Sequence, residues 1–312
     1  MTDHLRHDLQ SSLGISDYLL NRLVQRAPHS YKVYTIAKRS GGLRTIAQPA
    51  KETKFIQRWL IENIFSQLPV HECASAYKVG ASIKKNANAH KSNSYVTKLD
   101  FKDFFPSITS NDLVKHLAIH LGDSLGTQDI QDIARISCIR LPGKSDLCLS
   151  VGAPSSPVLS NSIMFSFDSE VFAWCDKNGI TYTRYADDLT FSTNTKNISS
   201  DIEPFVRGIA QKLAYPSLSL NSKKTTHLSK KHQRRITGII INNEGNISLG
   251  RNRKREISAL IHKFTLGILP EPEIYRLQGL LGFAKDVEPL FVARMRGKYT
   301  SKLIEEVLQK RK

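Results

Sequence analysis

Two adjacent aspartates, Asp187 and Asp188, interrupt a run of strand-forming residues from Thr181 to Ser192, and few features limit a chain more sharply. The Thr, Tyr, Leu and Phe residues on either side favour extended, half-buried backbone. Aspartate tolerates the tight geometry of a turn and can bond its own backbone. The segment therefore predicts a β-hairpin whose tip carries two carboxylates. Such a tip is either a polar turn or a place where negative charge is gathered around a divalent cation. The choice depends on which other acids the chain can bring beside it.

One candidate lies upstream. Val96-Thr97-Lys98-Leu99-Asp100 reads as an apolar strand ending on a carboxylate. Paired with the hairpin, it would bring Asp100, Asp187 and Asp188 to one point. Two-metal phosphoryl-transfer sites need carboxylates from separate segments, because the ions sit about 3.5–4 Å apart, one activating the attacking hydroxyl and one stabilising the leaving group. Mg²⁺ takes oxygen ligands in near-octahedral geometry and only a few of them from protein. Asp103 is a further acid, but the turn into Phe104-Phe105-Pro106 offers it a capping or structural role of equal weight, so it is not counted as a ligand. His116 and His120 stand at metal-binding spacing. No Glu follows His116 and the flanking residues read as ordinary amphipathic helix, so no metal is expected there.

Charge bears on partners. Lys and Arg outnumber Asp and Glu by 45 to 28 in 312 residues, a net charge of +17. Such an excess collects polyanions, nucleic acid above all. Between Lys223 and Arg255 there are ten basic residues and a single acid, Glu244. The length allows two or three subdomains. Cys73, Cys138, Cys148 and Cys175 form no CxxC pair and read as buried thiols of a reducing compartment. With no signal-peptide pattern and no apolar run of membrane-spanning length, a cytoplasmic location is expected.

The remaining pattern is α+β. Helices are expected over 4–27, with Ser16 as a cap, then a hairpin over 31–37 and 43–48, and a helix over 51–68. Helices follow near 109–122 and 127–139. The loop Gly152-Ala153-Pro154-Ser155-Ser156-Pro157 opens one long helix that runs to about Asn178, where Gly179 stops it. Another helix covers 199–214, two short strands cover 235–241 and 246–249, and three helices are expected in the last sixty residues.

Three stretches, in order, resemble the palm motifs of reverse transcriptases: Leu99-Asp100-Phe101-Lys102-Asp103-Phe104-Phe105-Pro106, the Gly152–Pro157 loop, and Tyr185-Ala186-Asp187-Asp188. Asn86-Ala87-Asn88-Ala89-His90 resembles the NAxxH element, and Ile236-Thr237-Gly238 the VTG element, of bacterial retron reverse transcriptases. The resemblance implies a right-hand polymerase architecture: an N-terminal helical segment (1–30), fingers (31–93), a palm with an antiparallel sheet (94–242, with fingers-associated helices over 109–150) and a short, basic, helical thumb (243–312).

The same resemblance implies roles. Asp100, Asp187 and Asp188, with the backbone carbonyl of Phe101, would hold two Mg²⁺ ions, for which Mn²⁺ could substitute. Arg44 would hold the triphosphate of an incoming dNTP, with Lys38 and Arg39 as weaker candidates. Phe105 would be the steric gate against a 2′-hydroxyl, Ala153 and Pro154 the floor under nucleotide and template, and Tyr185 a contact of the primer end. Either Lys223 or Lys224 would stand near the leaving pyrophosphate. Val151 departs from the family's usual Gln and removes a polar contact there. Lys230, Lys231, Arg234, Arg235, Arg251, Arg253, Lys254 and Arg255 would grip RNA phosphates. The implied activity is RNA-directed DNA synthesis on a cognate structured non-coding RNA, primed from a guanosine 2′-hydroxyl, leaving branched msDNA. A separate effector protein and a role in antiphage defence would accompany it. Alternatives are a group II intron or diversity-generating reverse transcriptase, or a catalytically silent RNA-binding scaffold.

Overall fold

The computed structural model describes residues 4–38 and 41–310; Arg39 lies outside them. The chain begins with α1 (His4–Leu13), α2 (Asp17–Arg26), β1 (Tyr31–Ala37), β2 (Leu43–Pro49), α3 (Lys51–Asn63), α4 (Ile83–Ala89) and β3 (Tyr95–Asp100). It continues through α5 (Ser110–Leu121), α6 (Thr127–Ser137), β4 (Ile139–Arg140), β5 (Leu147–Cys148), α7 (Ser155–Ile163), α8 (Phe165–Lys177), β6 (Thr181–Tyr185) and β7 (Asp188–Thr193). The last third holds α9 (Ser199–Lys212), β8 (Thr226–Leu228), β9 (Arg234–Ile236), β10 (Ile239–Ile241), β11 (Ile247–Ser248), α10 (Arg251–Thr265), α11 (Glu271–Val287), α12 (Pro289–Tyr299) and α13 (Ser301–Gln309).

The central element is an antiparallel sheet of strand order β6-β7-β3-β8. Side chains alternate across its two faces. Tyr182, Leu189, Phe191 and Leu99 point to one face and join Phe167 and Val171 of α8 and Ile202 and Val206 of α9 in the larger core. Tyr185, Asp188, Lys98 and Asp100 belong to the other face by the same parity. That face is covered at its far end by α4 and left open at the aspartates. Leaving the open end polar and burying the rest is what the alternating sequence dictates.

A second core joins α10–α13 to the β9–β10–β11 sheet, with Ala87 of α4 and Val96 of β3 at its edge. The hairpin β1–β2 stands apart, with most of its side chains exposed and Ala47 and Pro49 buried at its base.

Several expected boundaries shift. The helix expected to run to Asn178 is two helices that meet at Met164, whose ψ of 0° departs from helical geometry. Just before the break, Asn161 and Ser162 commit their side chains to tertiary bonds with Ala76 and His116. The helix expected to reach Leu68 ends at Asn63 and is followed by a 3₁₀ turn. The strand expected over 235–241 is a hairpin, β9–β10. Its turn residues Thr237 and Gly238 both have positive φ, as a tight twisted hairpin requires. The C-terminal region has four helices, since Thr300 (φ +71) breaks the third and caps the fourth by accepting from the Leu303 amide.

Candidate active site

β3 and β7 pair in a register that sets Asp100 directly opposite Asp188, while Tyr185 faces Asp188 from β6. Asp187 sits in the two-residue turn, and its carbonyl accepts from the Phe101 amide at 3.2 Å. The strand after Asp100 is tied on its other side, where the Asp100 carbonyl accepts from Asn221 at 2.7 Å and Lys102 donates to Ser219 at 2.8 Å. The three expected carboxylates are thus brought together by backbone pairing alone. Like charges set opposite each other in a sheet are destabilising, so the arrangement calls for cations.

The charge distribution reflects this. Burial, the Asp187 charge and a hydrogen bond with Asp100 push the Asp188 carboxyl up to about 6, against a smaller opposing pull from Lys98. Asp187 is also raised, by burial first and then by the Asp100 charge, with Lys224 and Arg44 opposing. Of the two adjacent lysines, Lys224 is the one that meets the acids. Its Nζ lies 2.8 Å from both Asp100 oxygens although the side chain, like that of Lys223 beside it, is largely exposed. Burial works to lower the Lys224 pKa, and the Asp100 hydrogen bond and charge outweigh it, so the net direction is up.

Among the described residues no three His, Cys, Asp or Glu side chains are gathered closely enough to hold an ion on their own. The donor set nonetheless fits divalent cations. One ammonium already bridges both Asp100 oxygens, and the two remaining carboxyls are raised by burial first and then by the neighbouring carboxylates, which a bound cation would offset. His116 is no ligand: it is buried, its Nε2 bonds Ser162 Oγ at 2.7 Å, and burial followed by the neighbouring His120 lowers it to about 4.

The other expected residues surround this edge. Arg44 is exposed on β2, and its charge is felt by both Asp187 and Tyr77. Lys38 is exposed where β1 leaves the sheet, its amide bonded to the Gly42 carbonyl. Tyr185 is half-buried with its ring 6.4 Å from that of Tyr77. Phe105 is half-buried in a 3₁₀ turn against Phe104, rings 5.4 Å apart, and Asp103 (φ +47) makes the turn that leads into it. Val151 meets the β1–β2 hairpin through its backbone, accepting from the Ala47 amide at 2.8 Å. Gly152 follows at φ +124, where a Cβ would lie 2.8 Å from the Ala47 carbonyl oxygen. Only glycine allows that approach. Ala153 is buried and Pro154 half-buried at the start of α7.

The model of the family described as "Reverse transcriptase (RNA-dependent DNA polymerase)" matches residues 36–241. Retron Ec83 reverse transcriptase of Escherichia coli is 39% identical over 98% of this chain and 98% of its own length. Retron Ec73 reverse transcriptase, also from Escherichia coli, is 34% identical over 88% of this chain and 89% of its own. The chain belongs to the reverse transcriptase family. Within it, the chain stands with the retron reverse transcriptases and is an RNA-directed DNA polymerase. Apo telomerase from Candida tropicalis superposes with a TM-score of 0.50 at 12% identity, over 88% of this chain and 58% of that one, a likeness of fold alone. Reverse transcriptases generally use divalent metal ions.

The two retron-like elements meet in one buried relay. Ser192 Oγ–H donates to His90 Nδ1, His90 Nε2–H donates to Thr183 Oγ1, and both distances are 2.7 Å. The tautomer follows from the next links: Thr183 donates to Asn86 Oδ1 at 2.6 Å, Asn86 donates to Thr237, and Thr237 to the Ile83 carbonyl. Burial lowers the His90 pKa to about 3. The β6–β7 hairpin that carries the two aspartates is therefore bonded, through α4, to the β9–β10 turn.

Arg234 corrects the sequence reading. It is fully buried and donates to the carbonyls of Asn93 and Asn242, so it is a joint between palm sheet and C-terminal core rather than a phosphate contact. Lys230, Lys231, Arg235, Arg251 and Arg255 are exposed. Arg253 lies over the Phe283 ring at 4.8 Å, and Lys254 pairs with Glu288 at 2.6 Å. Sequence reasoning also missed Lys98, whose charge reaches Asp188, and the buried ion pair Arg184–Asp168 beneath the turn.

Proposed function

We propose that this retron-type reverse transcriptase copies part of a cognate structured non-coding RNA into DNA, priming from a guanosine 2′-hydroxyl and leaving branched msDNA. The observation that carries the reading is Asp100, Asp187 and Asp188 at one sheet edge with Lys224 on Asp100. Asp100, Asp187, Asp188 and the Phe101 carbonyl would hold Mg²⁺, or Mn²⁺ in its place. Bound there, the ions would activate the attacking hydroxyl and stabilise the leaving pyrophosphate. Arg44 orients the dNTP triphosphate, Phe105 bars a ribose 2′-hydroxyl, Ala153 and Pro154 form the floor, and Lys224 moves from Asp100 toward the departing phosphates.

Residues 31–93 act as fingers, the four-stranded sheet as palm, and the helical C-terminal core as thumb. The exposed Lys230, Lys231, Arg235, Arg251 and Arg255 supply shape-tolerant phosphate contacts to the folded RNA. The setting is the cytoplasm, with a separate effector protein and a part in antiphage defence. No described helix is long and apolar enough to cross a membrane.

Purified protein supplied with poly(rA)·oligo(dT), Mg²⁺ and labelled dTTP tests the chemistry. Incorporation is expected, and its loss in Asp187→Asn with Asp188→Asn. Incorporation that survives both substitutions would sink the catalytic assignment. Equal use of the cognate RNA and of unrelated RNA of the same length would sink the retron-specific part.

A further inference from the structure

We infer that Arg184 is a positioning residue that fixes the Ala186–Asp187 peptide and so aims the carboxylates of Asp187 and Asp188; the inference rests on the reading of that edge as the polymerase site. Arg184 lies on β6, two residues before Ala186, and its side chain is wholly buried on the core face of the sheet. Its Nε and Nη2 grip Asp168 of α8, with Nη2 2.6 Å from Oδ2 and Nε 2.9 and 3.0 Å from the two oxygens. The remaining arm, Nη1, donates to Asn161 Oδ1 at 3.1 Å and to the Ala186 carbonyl at 3.2 Å.

That carbonyl belongs to the peptide that leads into Asp187. Ala186 itself has φ +58, a left-handed conformation that costs a residue with a Cβ and persists only where its surroundings impose it. The two-residue hairpin turn calls for that conformation, and Arg184 holds the turn's carbonyl from below. The guanidinium is planar and forked, so anchoring two arms fixes where the third points. Its anchors are themselves held. Tyr182 donates to Asp168 Oδ1 at 2.9 Å, and Asn161 donates to the Ala76 carbonyl at 2.8 Å. The backbone of Arg184 is pinned as well, its amide to the Cys73 carbonyl at 2.9 Å and its carbonyl to the Ser75 amide at 2.8 Å.

The ion pair adds no net charge beneath the site, so its effect on the carboxylates is one of direction, not of field. A core that needed only a filled volume could use apolar residues here at no loss. What apolar residues could not do is hold the Ala186 carbonyl from below.

The experiment compares wild type with Arg184→Lys, which keeps the charge pair with Asp168 but cannot span Asp168 and Ala186 together. Arg6→Lys serves as control, since Arg6–Asp132 (2.6 Å) is a part-buried pair away from the catalytic edge. Two readouts are taken: steady-state dTTP incorporation on poly(rA)·oligo(dT), and the rise in melting temperature on adding Mg²⁺ alone. Arg184→Lys is expected to lower kcat about 10–100-fold with KM for dTTP within about twofold. It should also need about fivefold or more Mg²⁺ for half of the melting shift, because Mg²⁺ tolerates little departure from octahedral geometry. Arg6→Lys should lower the melting temperature without changing either.

An Arg184→Lys protein with unchanged kcat and unchanged Mg²⁺ midpoint would overturn the inference and leave a core ion pair only. If Arg184→Lys gives no cooperative melt, Asn161→Ala decides, since it leaves the Arg184–Asp168 pair intact and removes the lateral hold on Nη1 together with the bond to the Ala76 carbonyl. A fall in kcat with unchanged KM supports the inference, and an unchanged kcat overturns it. An inactive wild type would overturn the polymerase reading, and the Mg²⁺-dependent melting shift would still decide on Arg184.

Discussion

His90 is enclosed by Ser192 and Thr183, each 2.7 Å from a ring nitrogen, and burial pushes its pKa down to about 3. In the unfolded chain the same ring titrates near 6.5. The folded form therefore binds fewer protons than the unfolded form across that interval. The resulting stability is fully present above about pH 6.5 and is lost as the pH falls toward 3. Between about pH 7.5 and about pH 5 the loss is about 1.5 pK units at 1.36 kcal/mol each, or about 2 kcal/mol. His116, lowered to about 4, adds a loss of the same sign. Asp188 acts in the opposite sense without divalent ions: its folded pKa, about 6, is raised, so its contribution grows as the pH falls. The total acid response thus mixes signs, and the useful quantity is a difference. Gln in place of His90 retains a donor and an acceptor but cannot titrate. Urea unfolding of wild type and His90→Gln, followed by tryptophan fluorescence in EDTA near pH 7.5 and near pH 5, isolates the effect. The acid-induced loss should be about 2 kcal/mol smaller in the variant. Equal losses in the two proteins would refute the account of His90 as a ring held neutral by burial.

Other outcomes follow from the same geometry. Lys224→Met removes the ammonium that competes for Asp100, so the Mg²⁺ needed for half of the melting shift should fall about 3–10-fold, while the incorporation rate drops; weaker Mg²⁺ binding would refute the competition. Gly152→Ala drives a Cβ to 2.8 Å from the Ala47 carbonyl at φ +124. It should cost about 1–3 kcal/mol in thermal unfolding and loosen the fingers hairpin, seen as faster amide exchange at Ala47. Replacing Lys230, Lys231 and Arg235 together by Ala should flatten the slope of log affinity for single-stranded RNA against log salt by about 2, whereas Arg234→Met should act on stability and leave that slope unchanged.

The convergence of the three acids was legible in the sequence because it is made of local strand signals that end on acids. Val96 to Asp100 and Thr181 to Ser192 each specify a strand, and antiparallel pairing does the rest. Lys224 could not be separated from Lys223, because only the tie between Asn221 and the Asp100 carbonyl turns one of the two adjacent lysines toward the acids. Arg234 was misread because a basic run looks like a solvated one. Strand period carried the correction, since Arg234 shares its parity with the buried Ile236 and not with the exposed Arg235. The same parity applies at the centre of the molecule. If Asp188 must face the cleft, its partner Tyr185 faces it too, and Arg184 with Tyr182 must turn into the core. An arginine there requires a buried acid, because an unpaired charge in a core is too costly to keep. The helix that packs on β6 carries Asp168 between Phe167 and Ser169, with Val171 on the same buried side, and its other acids, Glu170 and Asp176, are not buried. Period and charge balance together therefore point to Asp168 as the partner, and from there to a guanidinium held beneath the two aspartates it aims.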